Sequence, residues 1–427
     1  MNLNSNEMLS LFKKLFITIS LLILYRFGSY VPVPGLNVSS IISFLGGDKA
    51  GGFFDTFHML SGGAFGRMTI FALSVMPYVL SSIIFQLLST TFKNLKEWID
   101  NDQGNKKKIS FYVKLIMIFI CLLQGSGIVF GVDGAMRLLP GSISLFLQSF
   151  VTISTFMAGT LTLVWIGDQI SSRGIGNGIS IIIFIGIISE FPNLFNSLFE
   201  LNKVSYLGGF ALFFIILSFF ILLFFIIFVE KSYLYIPVQY PRRNSNIYSN
   251  NFSYIPLKVN ISGVIPPIFA STALMLPMTI ARFYSNNISD FIIYYFSPGK
   301  FLYLICNCIL IFIFSFFYSG FILDTDDISY NLKKNGGLIP GKRPGNNTKI
   351  YIKNIINRLN FIGSIYLSLI CLIPDIFKSL YTSFLISGTG ALIIIGVVLD
   401  TTSHLKSYLL DRGSYDKFMS KISKFRC

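Results

Sequence analysis

The sequence predicts an all-α polytopic membrane protein: ten transmembrane helices in two inverted halves of five, with one re-entrant half-helix. Three observations carry this. Of 427 residues, 53% are apolar and only 12% are charged, about half the roughly 25% usual in a soluble domain. Ten apolar runs recur along the chain, most of them near the ~20 residues that a bilayer-spanning helix requires. Of the 34 Lys and Arg, 25 fall in the N-terminus, connections 92–110, 168–174, 230–260 and 324–358, and the tail after 403. These segments share one side of a ten-span chain. The opposite side holds only seven: Lys49, Arg67, Arg137, Lys203, Arg282, Lys300 and Lys378. The positive-inside rule therefore puts both termini in the cytosol and connection 31–67 on the outer side.

The runs are 15–30, 68–91, 111–132, 144–166, 175–198, 207–229, 261–280, 301–323, 359–377 and 384–402. The first is short and contains Arg26. The N-terminus carries Lys13 and Lys14 but no short apolar core ending in a small-residue cleavage site, so this run is expected to persist as a helix. An odd number of spans in each half gives the halves opposite orientation, the topology of inverted repeats. The boundary is placed at 200/201.

The stretch 51–88 divides physically. Residues 68–88 lack charge and are long enough to span as a helix. Residues 51–67 are too short and too glycine-rich to do so, yet Phe53, Phe54, Phe57 and Leu60 keep helical spacing. Gly51-Gly52 and Gly62-Gly63 bracket this half-helix. Irregular backbone at membrane depth survives only inside protein or beside a water-filled cavity, so the segment is expected to fold into one. Two basic cytosolic connections stand out. In 230–260, Tyr, Ile and Val recur around Pro241, Arg242, Arg243 and Asn244, which predicts a hairpin. In 324–358, Lys333, Lys334, Lys342, Arg343, Lys349 and Lys353 surround a Pro/Gly tip, a pattern that retains a loop in the cytosol and suits an acidic or nucleic-acid-bearing partner.

Little chemistry is offered. Gly174, Gly176 and Gly178 lack the βαβ setting of a phosphate loop and read as a sharp turn into the fifth helix. Asp168, Glu190, Glu230, Asp324, Asp375 and Asp400 lie at or near run ends, Arg26 near the outer end of the first run. Lys114, near the cytosolic end of the third, is expected to snorkel. His58 and His404 lie far apart in the chain. The cysteines Cys121, Cys306, Cys308, Cys371 and Cys427 show neither disulfide nor zinc spacing. An ion-coupled transporter or intramembrane enzyme needs ionisable groups at mid-depth; this chain offers a pathway instead. No metal, cofactor or enzymatic activity is expected. The alternative is a polytopic secondary transporter of small solutes, marked by Ser, Thr and Asn clustered at mid-depth. Val79 and Ile83, and Ile179 and Ile183, repeat at four-residue spacing; periodicity alone leaves core packing, lipid contact and pore lining open.

Six stretches resemble the SecY family, in order and over almost the full length: RFGSYVPVPGLN (26–37), SGGAFGRMTIFALSVMPYVLSSIIFQLL (61–88), RGIGNGISIIIF (173–184), LKVNISGVIPPIFAS (257–271), NLKKNGGLIPGKRPG (331–345) and RLNFIGSIYLSLICLIPDI (358–376). The resemblance implies a protein-conducting channel with two pseudo-symmetric halves, 1–200 and 201–427. It would translocate unfolded polypeptides and release apolar segments laterally into the bilayer. It implies an aliphatic pore ring of Val79, Ile83, Ile179, Ile183, Ile268 and Ile393. It also implies a plug at about 51–67, with Phe54, Phe57, Leu60, Ser61, Gly62 and Gly63. Arg343, Lys342, Lys334, Arg242 and Arg243 would dock a SecA motor ATPase, a ribosome, or both. The implied partners are SecE-like and SecG-like membrane subunits, signal sequences, unfolded secretory or membrane proteins, and lipid. The implied location is a bacterial inner membrane, or an organellar one. DTDDIS at 324–329 is more acidic than the family pattern.

Overall fold

The computed structural model describes residues 5–34, 61–92, 105–131, 145–204, 209–240, 253–283, 295–296, 300–380 and 388–410. Each apolar run contains a helix, and the all-α membrane fold follows. The helices are α1 (Ser5–Gly28), α2 (Met76–Thr91), α3 (Asn105–Gly131), α4 (Leu145–Arg173), α5 (Gly178–Val204), α6 (Gly209–Glu230), α7 (Ile265–Phe283), α8 (Phe301–Ile322), α9 (Thr325–Lys334), α10 (Asn346–Leu380) and α11 (Gly388–Leu410). Between α6 and α7, β1 (Tyr233–Val238) pairs antiparallel with β2 (Ser253–Lys258), with Tyr233 opposite Lys258 and Val238 opposite Ser253. This is the predicted hairpin. Two compact units result. The first holds α1 to α4, most of α5 and α11, and the end of α7; the second holds α6, the hairpin, the start of α7, and α8 to α10.

In the first unit, α4 packs on α1, α2 and α3, and α2 packs on α3. The α4–α5 turn is as tight as its glycines predict. Gly178 donates its N–H to Ser171 Oγ at 2.9 Å, and Gly176 has φ +77°. A Cβ on Gly178 would strike the Gly167 carbonyl.

Two sequence expectations need correction. The span expected over 68–88 is helical only from Met76. Residues 61–75 form turns instead, with Met68 at φ 42° and Ser74 at φ 54°. Val33 donates to Met68 O at 3.0 Å and Ile70 to Val31 O at 3.1 Å, so this backbone pairs with the chain after α1 as well as through turns of its own, such as Thr69 N–H to Ala64 O at 3.0 Å. Pro77 then sits in the first turn of α2, where its fixed φ and missing N–H are tolerated. Secondly, α10 begins at Asn346, well before its apolar run. A third finding adds to an expectation: Lys114, read as snorkelling, reaches Asp168 Oδ2 on α4 at 3.0 Å, with both side chains well exposed.

Candidate functional site

The irregular stretch 61–75 is buried although it is not regular structure. Ala64, Phe65, Met68, Ala72, Leu73 and Val75 are each at most 1% exposed. Tyr25 of α1 stacks on Phe71, ring centroids 6.1 Å apart, and the Ile70 carbonyl lies where a Cβ on Gly159 of α4 would be. The stretch thus has protein, not lipid, around its backbone, as irregular chain at membrane depth requires.

Its start is anchored to α5. Gly62 O accepts from Arg26 Nη1 and from Ser189 Oγ, each at 3.3 Å. Gly62 and Gly63 have φ +65° and +78°, conformations that cost little only for glycine. A Cβ on Gly62 would lie 2.8 Å from Gly186 Cα; one on Gly63 would strike Glu190 Oε1. Glu190 is buried and Ser61 accepts from Phe65 N–H at 3.0 Å. Arg67 and Arg26 both lie over the Tyr30 ring, 4.5 and 5.0 Å from its centroid. Arg26 Nη2 also donates to the exposed Tyr30 hydroxyl at 3.1 Å. Of the plug residues expected from sequence, Ser61, Gly62 and Gly63 are placed here, while Phe54, Phe57 and Leu60 lie outside the described residues. Arg26, Arg67, Gly186, Ser189 and Glu190 belong to the same cluster and were missed. The signal was present: a glutamate and an arginine at the outer ends of two apolar runs.

One face of α5 joins this cluster to two ring candidates. Ile179, Ile183, Gly186 and Glu190 follow at spacings of four, three and four, one stripe of a helix. Ile183 is buried and Ile179 half-buried. On α2, Ile83 is buried and Val79 half-buried, while Ile84 and Leu88 are exposed. Ile393 of α11 belongs to the first unit and Ile268 of α7 to the second; both are buried.

The two basic connections are not separate loops. Gln239 and Leu338 exchange two backbone hydrogen bonds of 2.8 Å, which ties the end of β1 to the Pro/Gly tip. Ile236, Val238 and Leu257 of the hairpin share one core with Leu332, Ile339, Ile352, Ile356 and Leu359. The acidic DTDDIS is the start of α9. Asp324 caps it by accepting from Asp326 N–H at 2.9 Å, Asp326 and Asp327 occupy the first turn, and Lys333 and Lys334 the last. This charge order matches the helix dipole. Lys334, Lys342 and Arg343 are exposed on this platform. The Arg343 carbonyl accepts from Thr348 Oγ1 at 2.9 Å, and Lys342 Nζ lies 5.3 Å from the Tyr351 ring. Arg242 and Arg243 lie outside the described residues.

The SecY family model matches residues 69–402. A protein translocase subunit SecY of Rickettsia bellii is 40% identical over 430 residues, covering 98% of this chain and 97% of the relative. A solved protein-conducting channel superposes with TM-score 0.63 at 20% identity, covering 95% of this chain and 93% of the other. Sec61 in the canine ribosome–channel complex from the endoplasmic reticulum gives TM-score 0.57 at 19% identity, with coverage of 95% and 93%. With its full length accounted for by a close relative, this chain belongs to the SecY family.

Proposed function

We propose that this multi-pass membrane protein is the protein-conducting channel of a Sec translocase. It carries unfolded polypeptides across the membrane and releases apolar segments sideways into the bilayer. It is a channel and not an enzyme; energy comes from a docked partner or from translation. Val79, Ile83, Ile179, Ile183, Ile268 and Ile393 are the ring that seals it. Branched aliphatic side chains exclude water and ions by dewetting, and offer a passing peptide no fixed hydrogen bonds. Residues 51–67 are the plug, rooted at Gly62 and Gly63. The observation that carries this reading is the α5 stripe: the ring candidates Ile179 and Ile183 continue directly into Gly186 and Glu190, against which Gly62 and Gly63 rest. Lateral release sorts segments by transfer energy, with each charged residue costing roughly 2.5–3.5 kcal/mol at the helix centre.

The hydroxyls of the wall helices favour a passage over a solute site. Ser81 and Ser82 of α2 donate to Tyr78 O and Val79 O, and Ser271 and Thr272 of α7 to Ile268 O. They satisfy their own helices rather than converge on a ligand. Arg343, Lys342 and Lys334, with Arg242 and Arg243, form the docking surface for a SecA-like motor or a ribosome. SecE-like and SecG-like subunits complete the complex in a bacterial inner membrane, with both termini cytosolic. The test is crosslinking. Cysteines replace Ile83, Ile183 and Ile268 in turn in a channel cleared of native cysteines, and a secretory chain is stalled in transit. Adducts at these positions, and none at a lipid-facing control such as Phe224, are expected. Adducts only at the control would refute the ring.

A further inference from the structure

A chain of buried polar side chains crosses the second unit beneath the docking platform, and nothing in the passage described above uses it. Asn260 follows β2 and precedes α7. It is 2% exposed, and its side-chain amide is fully engaged. Nδ2 donates to Glu230 Oε1 at 2.6 Å and to Gly263 O at 3.1 Å. Oδ1 accepts from Gly263 N–H at 3.1 Å and from Ser262 Oγ at 3.2 Å. Two donors and two acceptor sites are all a carboxamide has. Ser262 Oγ then lies 3.1 Å from Ser315 Oγ of α8, and Ser315 Oγ 3.0 Å from the amide of Asn360 on α10. Ser262, Ser315 and Asn360 are each at most 1% exposed.

Proton counting fixes the direction of this chain. With Asn360 Oδ1 toward Ser315, two hydroxyl protons must serve three contacts, and Asn360 Nδ2 is left buried without a partner. Amide orientation is assigned from the hydrogen-bond network. With Nδ2 toward Ser315, every contact has one proton: Asn360 Nδ2–H to Ser315, Ser315 O–H to Ser262, Ser262 O–H to Asn260 Oδ1, and Asn260 Nδ2–H to Glu230. Each contact then has its proton, which favours this orientation, and the amide oxygen takes the buried place that Nδ2 leaves.

We propose that these five side chains are a one-way hydrogen-bonded brace, with Asn260 as its positioning residue, that holds the entry of α7 to the platform so that partner load reaches the channel wall. The proposal rests on the reading of this chain as a partner-driven channel. Glu230 ends α6 and Asn260 stands two residues past β2, so the brace grips the base of the hairpin. Gly263, held on both its N–H and its carbonyl, has φ +64° and sets the turn into α7. Three residues into α7 lies Ile268. A push on the hairpin therefore reaches α7 through Asn260 rather than through a slack linker.

The test uses reconstituted channel complex and two readouts: binding of purified ribosomes to the proteoliposomes, and transport of a chain by ribosomes translating it. Asn260→Asp removes both donors and sets a second carboxylate beside Glu230. It is expected to leave ribosome binding within about twofold and lower transport about tenfold, the scale of one lost buried hydrogen bond. Asn360→Ser keeps a donor toward Ser315 and is expected to transport near the wild-type level; Asn360→Asp replaces the donor with an acceptor and is expected to fall with Asn260→Asp. Full transport by Asn260→Asp, or equal transport by Asn360→Asp and Asn360→Ser, overturns the brace. Wild-type channel that binds neither ribosomes nor a purified SecA motor, or Arg343→Glu channel that binds ribosomes as wild type does, overturns the docking reading instead.

Discussion

Gly62→Ala is the sharpest perturbation of the proposed plug root. The residue sits at φ +65°, which costs an L-residue about 1–2 kcal/mol. Its new Cβ would lie 2.8 Å from Gly186 Cα, Gly186 O and Ser189 Oγ. Two of those atoms are α5 backbone, held by the helix ladder, so the contact is relieved by moving residues 61–63 away. Overpacking of this kind costs about 1–3 kcal/mol. Together, roughly 2–5 kcal/mol is taken from the seated state, and each 1.4 kcal/mol is about tenfold in an equilibrium. The unseated fraction should therefore rise by about thirtyfold or more. Resting ion conductance of reconstituted channels without partner or substrate reads it directly. Gly341→Ala is the control: its φ is +76°, but nothing lies within 4 Å of the added methyl, so it brings backbone strain without a clash at the plug. If Gly62→Ala folds normally and leaks no more than wild type, or if Gly341→Ala leaks as much, the seat is not at Gly62.

Three further outcomes are expected. Ile83→Asn and Ile183→Asn each put an amide on the proposed ring; resting leak and passage of substrates with weakened signals should both rise, and no change in either would remove these residues from the ring. Arg343→Glu should cut partner binding with a weaker dependence on salt, since exposed charges act chiefly on encounter, while a co-sedimentation curve unchanged from wild type would count against docking there. Ile356→Ala opens the shared platform core at a cost of about 2–5 kcal/mol; protease cleavage within 335–345 and within the hairpin should accelerate together, and acceleration in only one would show the two connections to be independent.

Burial was legible in the sequence, and conformation within buried chain was not. The apolar runs located every spanning helix because water-avoiding residues must cluster wherever lipid or core surrounds them. The same signal misread 68–75 as helix, since an irregular segment packed among α1, α4 and α5 is as apolar as a spanning one. Pro77 marked the true start. The early start of α10 was readable from Ile352, Ile356 and Leu359 at spacings of four and three, but an amphipathic helix in a basic loop does not register as an apolar run. The acidic DTDDIS looked like an oddity of composition and is a helix cap with its first turn. The union of the two basic connections had no local signal: Gln239 and Leu338 are joined by backbone groups common to nearly all residues. The proposed plug root was half legible, its glycine pair from the sequence and its contacts with Glu190 and Ser189 only from the fold.

The buried irregular stretch also sets a schedule for biosynthesis. Residues 61–75 cannot dissolve in lipid alone, because their backbone groups need partners, and α2 is only 16 residues long, too short to cross unaided. Their packing partners on α4 and α5 extend to Glu190. At about 5–20 residues per second, the ribosome needs on the order of 10 s to make that part of the chain after Val75 has been joined. For that interval the growing protein carries an orphan segment that must wait in the headgroup region or inside another protein.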